Sequence, residues 1–349
     1  MATIRVFLLT CRRPALLPRA IASLRAQTFT DWVCELHNDA PEDDTPRQLV
    51  EQIGDPRIVL HHHTTNWGPV ATFNHAFAGG PEPYLSLLED DNWWEPDFLA
   101  TAVSALEAHP AATVAWSNLR IWRENPDHTW SDTGKLVWNA PPDDTRPRLF
   151  RWPIPLQAFD ALHSNGAMLC RTASSRAARV PASTPFDVIE PVRERLLSGG
   201  WLLLPSPLAN FSVTLQTSRS VDRSAWTRSQ LLVAASYFLA THPSPEESRR
   251  IWATLRNQTP PSTNLLVLLA LTQPELIGLL RFARPGDLIR FVLGSARHPH
   301  TLLRSLRRRH LDRELLAVLR SGAAARSSEN PARESAPALY FKSLEQPGT

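Results

Sequence analysis

Of the whole sequence, the nine residues from Tyr84 to Asn92, YLSLLEDDN, leave the fewest options open. A leucine-dominated run without apolar/polar alternation reads as a strand covered on both faces, as in parallel sheets flanked by helices. Three consecutive carboxylates then end it. Glu89, Asp90 and Asp91 cannot share an apolar interior without a compensating cation, because an unpaired buried charge is costly enough to be neutralised by protonation. Extended geometry points Glu89 and Asp91 to one side and Asp90 to the other. Open α/β sheets bind their ligands at the C-terminal ends of such strands. A polar strand end running into a solvated turn is the plainer reading of the same residues.

The flanking pattern favours the buried strand. Ile4 to Thr10, Trp32 to His37, Arg57 to His61 and Thr113 to Trp116 read as further short strands. Between them, Leu16, Leu17, Ala20, Ile21 and Leu24 recur at helical spacing, and Pro14 is placed to open that helix. Arg47 to Ile53, the segment carrying Val70, Phe73, Asn74 and Phe77, and Pro96 to Ala108 also predict helices. Alternation at these lengths means an α/β fold with a doubly wound, mostly parallel sheet. From Ser224 onward the pattern changes. Leu231 to Thr241, Pro245 to Leu255, Asn264 to Ala270, Gln273 to Phe282, Pro285 to Leu293 and Thr301 to Leu319 read as short amphipathic helices between proline-containing breaks. The expected organisation is an α/β domain over 1–222, with halves 1–120 and 121–222, then a C-terminal all-α module over 223–321. An Ala/Ser/Pro/Glu-rich tail over 322–349 is expected to be disordered.

Charge and motifs narrow the function classes. The 37 basic residues against 34 acidic ones leave a net charge of +3, too even to argue for nucleic acid. Between Arg297 and Arg313, six arginines stand against one aspartate, among Leu302, Leu303, Leu306 and Leu311. Such a helix either rests on an anionic membrane or presents a solvated face while packing on its own domain. Cys11, Cys34 and Cys170 are odd in number with no C-x-x-C pair, which points to reduced thiols in the cytoplasm. The N-terminus has no signal-peptide pattern, and no run approaches the roughly 20 apolar residues of a spanning helix. No G-x-G-x-x-G follows the first strand and no G-x-x-x-x-G-K-[ST] occurs, which argues against dinucleotide dehydrogenases and P-loop NTPases. His61, His62 and His63 diverge in an extended strand, so a solvated strand end is expected there in preference to a metal site.

Five blocks in order then carry a resemblance: IRVFLLTCRRP, SLRAQTFTDW, HND, NWGPVATFNHA and YLSLLEDDNWWEPDFL. Together they resemble the nucleotide-sugar half of family 2 glycosyltransferases, of the GT-A fold, closely over about the first 120 residues and more weakly to about Ser220. The resemblance implies a nucleotide-diphosphate sugar donor, a divalent metal (Mn²⁺ or Mg²⁺) and inversion at the anomeric carbon. It implies that Asp39 binds the base, which favours UDP or dTDP, that Asp90 binds the ribose, and that Asp91, with Glu89 beside it, holds the metal. Thr10, Asn66, Gly68 and Asn74 match the donor side. Phe73 replaces a frequent arginine, leaving Arg12 or Arg13 as substitutes.

The same resemblance places Ser164 to Arg171, SNGAMLCR, beneath the donor sugar and expects the catalytic base shortly after it. The family's E-D pair falls on Val188 and Ile189, so the pattern is not kept. Glu190 is preferred as the base, because Pro191 sets it at a helix start, with Asp187 as the alternative. Trp93, Trp94, Trp122, Trp130, Trp138 and Trp152 cluster around the expected cleft, either to stack on an acceptor or as core. The acceptor is a saccharide, lipid-linked or other hydroxyl, as in bacterial glycan or glycoconjugate synthesis. Two rivals are a sugar-phosphate nucleotidyltransferase, against which Leu9 to Pro14 lacks a glycine, and a non-catalytic nucleotide-sugar-binding adaptor.

Overall fold

The computed structural model describes residues 3–320 except 141–142, 152–153, 177, 198, 216–222, 260, 309–311 and 319. Trp152 and the tail expected over 322–349 lie outside the described residues. The strands are β1 (Ile4–Thr10), β2 (Trp32–Asn38), β3 (Ile58–His62), β4 (Tyr84–Glu89), β5 (Trp93–Trp94), β6 (Ala112–Glu124), β7 (Trp130–Leu136), β8 (Arg148–Arg151), β9 (Met168–Arg171) and β10 (Gly200–Val213). They form one sheet in the order β3-β2-β1-β4-β9-β6-β10-β5, with β7 on β6 and β8 on β10. Strands β3, β2, β1 and β4 are parallel, and β9 runs antiparallel to both β4 and β6.

The helices are α1 (Leu17–Arg25), α2 (Thr45–Ile53), α3 (Pro69–Ala78), α4 (Phe98–Ala108), α5 (Thr172–Ser175), α6 (Ile189–Leu196), α7 (Arg223–Thr241), α8 (Pro245–Asn257), α9 (Asn264–Thr272), α10 (Pro285–Arg297) and α11 (Pro299–Arg308). Alternation along β1 sends Ile4, Val6 and Leu8 to one face, where they meet Leu17, Ile21 and Leu24 of α1 and Leu99 and Leu106 of α4. Phe7 and Leu9 face the other way, toward Phe73 and Phe77 of α3. Helices therefore cover both faces, the doubly wound GT-A arrangement. Each fully buried Leu, Ile or Phe contributes about 1.5–3 kcal/mol to this packing.

Some expectations change. Helix α1 starts at Leu17, with Pro18 rather than Pro14 in its first turn. Strand β6 runs 13 residues without a break where the sequence reads a strand at Thr113 to Trp116 and a strand and turn over Trp116 to Trp122, because the 14-residue β10 pairs along it. Gly199, at φ +84°, turns the chain into β10, and a Cβ there would fall 2.4 Å from Thr113 Cγ2. The segment Pro274–Phe282 is 3₁₀ rather than α-helical. The apolar cluster under α3 continues through Trp201 and Leu203 of β10 into Leu232 and Phe238 of α7, Trp252 of α8 and Leu266 of α9.

Candidate functional site

Between β1 and β4 the sheet order reverses: β2 and β3 lie on one side of β1, and β4 on the other. Strand ends diverge at such a switch point and leave a crevice. Strand β4 stops at Glu89, and Asp90 and Asp91 already belong to a turn. The expected alternation of the two aspartates is thus overturned, since both carboxylates reach one cation. Arg13 Nη1 donates to Asp91 Oδ2 at 2.6 Å, and Arg13 Nη2 lies 2.5 Å from Asp90 Oδ1 in an ion pair without hydrogen-bond alignment. Thr10 Oγ1 donates to Asp90 Oδ2 at 2.7 Å. Asp90 is fully buried, and that burial pushes its carboxyl up to about 7 against the pull of Arg13. Asp91 keeps part of its side chain exposed.

Glu89 and the following residues reach the acceptor half. Asn92 Nδ2 donates to Glu89 Oε2 at 3.0 Å, and Trp94 Nε1 to Gly166 O at 2.7 Å. A Cβ on Gly166 would stand 3.0 Å from Asn92 Nδ2 and 3.1 Å from Glu89 Oε2, so the glycine keeps the floor beside Glu89 open. The expected small-residue strand here is a 3₁₀ turn, Asn165–Ala167, leading into β9. The backbone N–H of Asn165 donates to Glu190 Oε1 at 2.8 Å. Glu190, half-buried in the first turn of α6, is thereby tied to the residue next to Gly166. Asp187 is exposed in the preceding 3₁₀ turn. One turn beyond Glu190, the fully buried Arg193 lies 3.7 Å over the Phe77 ring. Burial pushes its guanidinium down to about 9, against the pull of the Glu190 carboxylate.

The remaining expected donor-side residues divide. Asp39 Oδ1 accepts the Trp67 N–H at 2.6 Å and a contact from His63 Nδ1 at 2.9 Å, and Asp39 Oδ2 accepts the Gly68 N–H at 2.9 Å. Asn66 Nδ2 donates to the Asp39 carbonyl at 2.6 Å. Gly68, at φ +77°, lets the chain turn into α3 with its N–H aimed at that carboxylate. Asp39, Asn66 and Gly68 thus form one fixed turn beside the switch point. Arg12, itself at φ +57°, points instead to Glu42 at 2.5 Å, and both side chains are exposed. Asn74 is not brought to the cluster: its amide donates to Val180 O at 2.8 Å and accepts the Val180 N–H at 2.9 Å.

Arg19 was not apparent from the sequence. Its guanidinium carbon lies 3.7 Å from the Trp93 ring and 4.0 Å from the Trp130 ring, while Nη2 donates to Asp91 O at 2.9 Å. Among the expected cleft tryptophans, Trp93, Trp122 and Trp130 gather here, whereas Trp138 is core with Trp116 and Phe150. The oxygens of Glu89, beside the open floor at Gly166, and of the partly exposed Asp91 suit a hard divalent ion. They are a partial shell, because among the described residues the only convergent group of three possible ligands lies elsewhere, at Glu35, His37 and His75.

Residues 6–162 match the model of glycosyl transferase family 2. The chain is 29% identical over 107 residues to the uncharacterized protein y4gI of Sinorhizobium fredii (strain NBRC 101917 / NGR234), covering 30% of this chain and 12% of that protein. It is 30% identical over 98 residues to the putative colanic acid biosynthesis glycosyl transferase WcaA of Escherichia coli (strain K12), covering 28% of this chain and 35% of WcaA. The matches thus span well under two thirds of either curated relative. Among solved structures, S. aureus TarS 1-349 in complex with UDP-GlcNAc superposes with a TM-score of 0.54 at 11% identity, covering 94% of this chain and 92% of that one.

Proposed function

Because residues 6–162 constitute a family 2 glycosyltransferase domain, we propose that this chain transfers a sugar from a nucleotide diphosphate to an acceptor hydroxyl with inversion. The observation that carries the reading is the pairing of two carboxylate groups at Gly166. Glu89, ahead of the Asp90–Asp91 turn, comes up against Gly166, and Glu190 holds the N–H of Asn165 just before it. The diphosphate lies over Arg13 and Asp91 and the sugar on the glycine floor; Asp90, proposed for the ribose, is buried against Thr10 and Arg13, so Arg13 shifts before a ribose hydroxyl reaches it. Glu190 takes the proton of the acceptor hydroxyl, whose oxygen forms the new bond to the anomeric carbon. The bond from that carbon to the diphosphate oxygen breaks on the opposite face. Asp187, being exposed, is the weaker candidate for base.

Asp91 and Glu89 are the residues to hold Mn²⁺ or Mg²⁺, which when bound offsets charge on the departing diphosphate. Arg13 supplies part of that charge from the chain itself. Asp39 orders the turn at Asn66 to Gly68 as the wall of the base pocket, and its proposed partner is uracil or thymine. The shared fold with TarS, whose structure holds UDP-GlcNAc, supports UDP first. Residues 1–222 are proposed as the catalytic domain and 223–321 as its helical module. No helix among the described residues is long and apolar enough to cross a membrane. Exposed Leu288, Ile289, Val292, Leu293 and Leu303 beside the arginines of α10 and α11 support peripheral membrane contact, and a lipid-linked acceptor fits such a setting. A cytoplasmic site of action belongs to the same proposal, in keeping with three free cysteines.

A transfer assay across a donor panel with Mn²⁺ tests the reading. Turnover of one uridine or thymidine donor, lost in Glu190→Gln and kept in Asp187→Asn, is the expected result. Nucleotide binding without turnover of any donor would favour the adaptor reading.

A further inference from the structure

Glu35 lies on the sheet face that α3 covers, away from the acid turn. Its Oε1 is held by Arg5, which also pairs with Glu82. Its Oε2 faces three imidazoles: His37 Nε2 at 3.2 Å, His75 Nε2 at 3.7 Å and His61 Nε2 at 3.9 Å. The rings come from three separate elements, β2, α3 and β3, and line a cavity of about 460 Å³ with Phe7 and Trp67. Ligand atoms of Glu35, His37 and His75 all lie within 4.8 Å of one another. Ligands about 2.0–2.2 Å from a tetrahedral zinc ion stand about 3.3 Å apart, so little movement closes this set.

Proton bookkeeping also asks for a cation at this place. His37 Nδ1 lies 3.0 Å from His63 Nε2, and His63 Nδ1 lies 2.9 Å from Asp39 Oδ1. The run Glu35, His37, His63, Asp39 thus has a carboxylate at each end and three contacts of hydrogen-bond length. Three hydrogen bonds need three protons, and two neutral imidazoles carry two. Two protons leave one of the three contacts empty: a ring lone pair then faces either a carboxylate or the other ring's lone pair, unless a further positive charge is supplied. An ion between His37 Nε2 and Glu35 supplies it and leaves His37 Nδ1–H to donate to His63, and His63 Nδ1–H to Asp39, as ligating histidines are commonly oriented.

We propose that Glu35, His37 and His75 form a site for a divalent transition-metal ion of the zinc class, separate from the acid turn, with an open fourth position beside His61. Imidazole nitrogens select zinc, nickel or copper over the hard ions that suit carboxylates alone. The expectation of a merely solvated histidine tract is revised accordingly. His61 and His63 turn toward the α3 side, and His63 is buried under Trp67, with ring centroids 3.7 Å apart. Only His62 turns away, toward Asn38 and the Pro41 carbonyl.

The test is titration of Zn²⁺ into full-length, tag-free protein against a chromophoric chelator, with millimolar Mg²⁺ present and Co²⁺ as a spectroscopic substitute. Expected are one Zn²⁺ per chain at micromolar affinity or tighter and a visible Co²⁺ spectrum of low coordination number. His75→Ala, at a partly exposed position, should weaken binding at least tenfold, and the His62→Ala control should leave it within threefold. Absence of stoichiometric Zn²⁺, displacement by Mg²⁺, or unchanged affinity in His75→Ala would overturn the site. The measurement needs no sugar donor, so its failure is distinct from failure of the transferase reading.

Discussion

At Glu190, one backbone N–H holds Oε1 in place while the rest of the carboxylate stays at the edge of the floor formed by Gly166. A general base in that position should contribute at least about 100-fold to turnover. Glu190→Gln is accordingly expected to lower kcat by about that factor with donor affinity retained, and Asp187→Asn to stay within a few-fold. Steady-state transfer kinetics beside UDP titration separate the two. Asp90 makes a different prediction. Its carboxyl sits near 7 when folded and about 3.9 in an unfolded chain, so the folded protein holds the extra proton between those values. Stability contributed by the protonated form is complete below about 4 and is lost as pH rises through about 7. Thermal melts of the wild type should therefore show Tm falling over that window, and Asp90→Asn should flatten the fall by a few degrees. An unchanged slope in the variant would place the loss at another group. The acid turn itself was legible in the sequence, because three carboxylates at a buried strand end demand a cation. Which cation was not legible, since Arg13 reaches both aspartates only once β4 stops at Glu89.

Among the elements, β1 to β4 and their helices follow from local periodicity, so their order and faces could be read directly. The second half of the sheet could not. Strands β6 and β10 gain their length from each other, and β9 joins antiparallel between β4 and β6, pairings fixed by partners far along the chain. Helix α6 is likewise held by contacts outside the local pattern, those of Glu194, which the sequence did not single out. This buried carboxylate accepts from Gln157 Nε2 at 2.6 Å and from the N–H of Leu162 at 2.7 Å, and it contacts His163 Nδ1 at 2.9 Å. Those hydrogen bonds hold its carboxyl low despite burial, which alone raises it. Glu194→Ala would strand these donors in the interior and should cost about 3–5 kcal/mol, measurable by urea denaturation. A loss below about 1 kcal/mol would mean that α6 is held chiefly by its apolar face.

For the molecule as a whole, the change from alternating strands and helices to helices alone was visible at Ser224, but how the two parts share a core was not. Arg195 Nη2 donates to the Val233 carbonyl of α7, and one apolar cluster runs from Phe7 to Leu316. Removing residues 223–349 is therefore expected to expose that cluster and yield insoluble protein, read as loss of the soluble monomer in size-exclusion chromatography. At the acid turn, a nucleotide diphosphate is proposed to meet Arg13, Asp91 and a divalent ion. Calorimetric titration of UDP with and without Mn²⁺, on wild type and Asp91→Asn, tests it most directly. Manganese should tighten UDP binding at least tenfold in the wild type and leave the variant unaffected. Equal manganese-assisted affinity in Asp91→Asn would contradict the account.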